Sequence, residues 1–172
     1  MRTRWGWAWA LLLGIAACSP SLNWRTVPVE QLATLLPCKP DHAVRTVDLG
    51  GAQQTLSMWG CEAGGALFAI SHLRVGSAAS SQPLIAAWQQ AALRNISGST
   101  AQTLPFQAPA LAGQTPALGT MVRTSGKRAD GQVVQAQWAW ISQGADVYHL
   151  AVYAPALTPI MTETFFTELR WQ

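Results

Sequence analysis

The chain has 172 residues, 49% of them hydrophobic, with eleven Lys and Arg against eight Asp and Glu. Arg2 and Arg4 lie in the first four positions, so the remainder is almost neutral, and its basic residues are scattered. That excludes the basic footprint of a nucleic-acid binder, while the length fits one domain large enough to bury a core.

Met1 to Arg4 carries positive charge, Trp5 to Ala17 is an uncharged apolar run, and Cys18 closes it. Thirteen residues of helix span only about 20 Å, short of a hydrocarbon core of about 30 Å. Trp5, Trp7 and Trp9 also prefer the membrane interface to its centre. A secretory signal over residues 1–17 is therefore expected. The string Ile15-Ala16-Ala17-Cys18 resembles the lipobox of bacterial lipoproteins. The resemblance implies cleavage before Cys18, lipidation of Cys18 and a membrane partner reached through that anchor. Ser19 stands where an Asp often marks inner-membrane retention, which favours the outer membrane facing the periplasm. The competing reading keeps residues 5–17 as an uncleaved signal anchor with Cys18 unmodified.

With Cys18 lipidated, Cys38 and Cys61 remain as one pair, and an oxidising periplasm favours a disulfide between them. Two free buried thiols are the alternative. Two cysteines without local histidines do not make a zinc site, so no metal and no cofactor are expected.

Residues 18–27 read as a lipidated tether, and 28–172 as a single α+β periplasmic domain. Pro28 opens an expected helix over 29–36, with Leu32, Leu35 and Leu36 apolar. Strands follow at 42–49, 53–61 and 66–75, separated by the turn signals Gly50-Gly51 and Glu62 to Gly65. In the second of these, Leu56 and Met58 fall on one face and Trp59 on the other. A helix over 82–96 carries a stripe of Ile85, Trp88, Ala92 and Ile96. A short strand at 101–106 and a Pro-, Ala- and Gly-rich loop at 107–116 come next. Strands are expected at 117–125, 132–142 and 146–154, with Asp130-Gly131 and Gln143-Gly144-Ala145 as turns, then a helix over 159–169. Tight turns between strands predict a mainly antiparallel sheet of six to seven strands with helices on its faces, preceded by the signal helix.

The succession Leu36-Pro-Cys-Lys-Pro40, Gly50-Gly51, Gly65 to Ser71, Asp130-Gly-Gln-Val-Val134, Val147 to Val152 and Phe165 to Arg170 resembles small secreted domains of the PsbP-like α-β-α sandwich. It covers residues 28–172. In such domains a helix crosses the sheet and a final helix ends in Phe. Their best-known members act as binding or assembly modules, and the resemblance brings no catalytic residue with it.

No G-x-S-x-G, S-x-x-K, H-E-x-x-H or P-loop string occurs. His42 sits by Pro40 at a strand start, where a solvated turn residue is expected. His72 follows Ser71 on a strand, so the two point to opposite faces and do not form a nucleophile–base pair. His149 lies amid an apolar strand, as a satisfied core or edge histidine would. Trp138 and Trp140 share one strand face, which is either core or an exposed aromatic surface for a glycan or a partner protein. With Trp59 they are the candidate partner-binding residues. The expectation is a non-enzymatic, lipid-anchored envelope protein with a binding or assembly role. The alternative is an envelope hydrolase whose site is assembled only by folding.

Overall fold

The structure, a computed structural model, describes residues 21–98, 100–110 and 117–172. The signal segment with its expected helix, Cys18, Ser99 and residues 111–116 lie outside the described residues.

The strand patterns assemble into a seven-stranded sheet of β3 (Asp41–Leu49), β4 (Ala52–Ala63), β5 (Ala66–Arg74), β6 (Ala101–Leu104), β7 (Leu118–Lys127), β8 (Val133–Gln143) and β9 (Asp146–Ala154). Its order is β3-β4-β5-β9-β8-β7-β6, antiparallel throughout. Two meanders, β3 to β5 and β6 to β9, therefore meet along the β5–β9 pairing. The turn glycines behave as their dipeptides predict: Gly50 and Gly51 both take positive φ, and the Gly51 N–H donates to Asp48 Oδ1 at 3.1 Å.

Helix α1 (Ser81–Asn95) follows a 3-10 turn at Ala78–Ser80 and crosses one face of the sheet. Its predicted stripe is the one it buries: Ile85, Trp88, Ala92 and, at the C-cap, Ile96. The helix end docks on β7, where the Lys127 N–H donates to the Ile96 carbonyl at 2.6 Å. Gly126 makes that approach possible, because a Cβ there would overlap the Ile96 carbonyl oxygen.

The opposite face carries helix α2 (Pro159–Thr167) and a three-stranded sheet of β1 (Arg25–Val29), β2 (Leu32–Leu36) and β10 (Arg170–Trp171), in the order β1-β2-β10. Here the sequence reading is corrected. Residues 29–36 are not a helix but the turn and second arm of a hairpin, with Glu30 at φ +52°. The reason is period-two burial: Val27, Val29, Leu32, Thr34 and Leu36 all point inward, more than a helical stripe would bury. Pro28 is tolerated because β1 is an edge strand. The boundary at residue 28 also moves. Leu22 and Trp24 already pack on the core, and the Asn23 N–H donates to the Pro37 carbonyl at 2.8 Å. The tail beyond 169 is not frayed helix, since β10 pairs with Ala33 and Leu32 of β2.

Two cores result, one on each face. Phe68 is the hub of the first, with Trp24 and Phe165 edge-on at 5.8 and 5.5 Å. The second lies under α1 and holds Leu73, Trp138 and Trp140. Cys38 and Cys61 form a disulfide, joining the segment after β2 to β4 with a Cα–Cα distance of 6.0 Å. Closing 23 residues of chain contributes about 3 kcal/mol. Reduction is expected to lower the urea midpoint by that amount divided by the denaturant slope; an unchanged midpoint in dithiothreitol would contradict it. Among the described residues no helix is long and apolar enough to cross a membrane.

Candidate functional site

The face of the sheet under α1 is uneven, and the unevenness makes a cleft. Cross-strand register sets the side chains in rows. One row runs Trp140, His149, Ser71 and Met58 from β8 to β4; the next runs Trp138, Ala151, Ala69 and Gly60. The β8 end is thick with indole, and the β4 and β5 end is thin. Helix α1 bridges the difference while presenting Trp88, Ala91 and Ala92. The space left between is about 570 Å³, within the usual range for a small-molecule site. Leu56, Met58 and Leu67 line it with apolar surface, while Arg45, Asp48, Arg94 and Asn95 stand at its solvent-exposed edge.

His149 forms part of the cleft wall. Its ring stacks on Trp140 at 4.6 Å and 20°, and leans against Trp88 at 4.9 Å. It is only 6% exposed, and its Nε2 has no hydrogen-bond partner. Burial pushes its pKa down to about 3, so the ring is neutral near pH 7. The expectation of a buried strand histidine therefore holds, but that of a satisfied one does not. The Trp140 Nε1 is likewise buried without a partner.

The three candidate tryptophans are not brought together. Trp138 and Trp140 are both 0% exposed, packed edge-to-face at 5.9 Å beneath α1. They are core, and the surface reading of these two is corrected. The cause is their strand: β8 is interior to the sheet, and its α1 face is covered. Trp59 is half-buried on the opposite face, stacked on His42 at 4.5 Å and packed against the core on that side. His42 is thus not merely a solvated turn residue, being the cross-strand partner of Trp59.

A second polar cluster lies on that opposite face. His72 Nε2 and Asp146 Oδ1 are 2.8 Å apart, and Arg74 approaches Asp146 Oδ2 at 3.5 Å. The pair ties the end of β5 to the start of β9, and the Tyr148 ring leans on His72 at 4.9 Å. Burial pushes the Tyr148 hydroxyl up to about 12. Sequence reasoning missed this contact because its members are 74 residues apart. Ser71 does point away from His72, as strand alternation requires. Ser57 is the cross-strand partner of His72, but no hydrogen bond joins them. Among the described residues no group of three His, Cys, Asp or Glu could hold a metal ion.

No protein-family model matches the chain, and no curated protein matches it.

Proposed function

We propose that the chain is a bacterial envelope lipoprotein, cleaved before Cys18 and lipidated there, facing the periplasm from the outer membrane. Its α+β domain, akin to the PsbP-like sandwich, is a non-catalytic binding module whose ligand site is the α1–sheet cleft. One observation carries this reading: a largely apolar cleft of about 570 Å³ with a neutral histidine in its wall. A hydrolase of the nucleophile–histidine–carboxylate type gathers those three groups around one cleft. Here His149 has no hydrogen-bonded carboxylate, and the His72–Asp146 pair sits on the other face. An envelope protein or glycan remains a partner for the surface around Trp59.

Two measurements test the two halves. Intact mass of the detergent-extracted protein is expected to equal residues 18–172 plus acyl chains. A mass that retains residues 1–17 without lipid overturns the anchor. For the cleft, the neutral apolar dye N-phenyl-1-naphthylamine is expected to brighten on binding to the wild type. Ala69→Leu, which fills the cleft floor, is expected to abolish that binding while keeping a cooperative urea transition, the added bulk costing no more than about 1–3 kcal/mol. Equal binding by a folded Ala69→Leu protein overturns the cleft as the site.

A further inference from the structure

The polar residues of the cleft are distributed by depth, and that distribution selects a ligand class. Arg45 on β3 and Arg94 on α1 stand at the solvent-exposed edge from opposite walls. Neither makes an ion pair or hydrogen bond among the described residues. The one carboxylate lining the cleft, Asp48, already accepts from the Gly51 N–H of its own hairpin turn. The mouth thus carries two guanidinium groups without partners against one carboxylate, a net positive edge.

The interior is different. Leu56, Met58, Ala69, Trp88 and Ala151 line it, and its only ionisable rings are those of His149 and Tyr153. Burial holds His149 in its neutral form and raises the Tyr153 pKa, so neither ring is charged near pH 7. An anion therefore has no counter-charge at depth and two at the edge. Guanidinium forks match carboxylate oxygens in pairs, whereas an ammonium head would meet like charge.

We propose that the cleft binds a carboxylate-headed amphiphile, such as a medium-chain fatty acid, with its apolar chain inward and its head between Arg45 and Arg94. The assignment rests on the cleft being a ligand site. Occupation by such a ligand would also cover the edge of Trp88 that lines the cleft.

The test is displacement of N-phenyl-1-naphthylamine from the mature detergent-extracted protein, with the dye signal of protein-free detergent subtracted and each competitor kept below its own micelle concentration. Dodecanoate, 1-dodecanol and dodecylammonium are compared. Dodecanoate is expected to compete at least about tenfold better than the other two, with the advantage shrinking as salt is raised. In Arg45→Gln/Arg94→Gln, both positions being exposed and unpartnered, the dye is titrated afresh and each competitor is read against the variant's own dye affinity. The advantage of dodecanoate is expected to vanish. If all three compete equally, or if the advantage survives the double substitution, the carboxylate assignment is overturned while the apolar cleft stands. If the dye itself fails to bind, the ligand-site reading falls, and this assignment with it.

Discussion

Lowering the pH from 7.5 to 4.5 is expected to cost the wild-type protein about 3 kcal/mol that the variant His149→Phe does not lose. The sign follows from where the proton goes. In the unfolded chain the imidazole titrates at its ordinary 6.5, whereas in the native state burial lowers it to about 3. Between those values the unfolded state binds a proton and the native state does not, so stability falls as pH falls. The slope is about 1.4 kcal/mol per pH unit, beginning near pH 6.5 and ending near pH 3. The groups facing the ring are Trp140 from β8, Trp88 from α1 and Ser71 from β5, none of them charged at these pH values. Phe fits a slot between two indoles and has no proton to gain. Urea melts of both proteins at several pH values decide the matter. Parallel stability curves from pH 7.5 to 4.5 would show that the native ring protonates freely and is not enclosed as described.

Trp140→Ala is expected to cost about 3–5 kcal/mol, the usual range for deleting a fully buried indole. The residue is 0% exposed and packs on Trp138 at 5.9 Å and on His149 at 4.6 Å. Its loss would leave a cavity next to the cleft, and α1 could close it only by moving. Trp59→Ala is the matched comparison. Trp59 is half-buried and stacked on one side by His42, so about 1 kcal/mol is expected. Urea unfolding gives both numbers. If the two substitutions cost the same, Trp140 is not under α1, and the core assignment of the β8 tryptophans fails.

The parts of the fold that could be read in advance are those whose signal is local. The β8–β9 hairpin shows itself in alternation and a Gly-containing turn, and α1 in its four-residue stripe. The Cys38–Cys61 bridge follows from counting once Cys18 is set aside. Residues 29–36 defeated the same approach because Leu32, Leu35 and Leu36 suit a helix, while Leu32, Thr34 and Leu36 suit a strand. The deciding signal lay across the turn, in Val27 and Val29 continuing the period of two. The cleft could not be read at all. It depends on Ala69 and Ala151 standing side by side across β5 and β9, and on both lining the same cleft as Ala91 and Ala92 of α1. Each is an ordinary small residue until register aligns them. Alternation puts the indoles of β8 on one face, but which face α1 covers is a tertiary fact that no strand pattern contains.

The meeting of the two meanders has a kinetic consequence. Within each meander every strand pairs with a chain neighbour through a short turn or a single loop, so those ladders close cheaply and early. The β5–β9 ladder joins residues 72 to 86 positions apart, so its closure is expected to follow theirs. Until then the strand edges of β5 and β9 are both bare, each a template for any extended segment nearby. The β2–β10 pairing, 137 to 139 positions apart, is longer-range still, so the molecule's vulnerable interval in folding is the wait for its long-range ladders to zip.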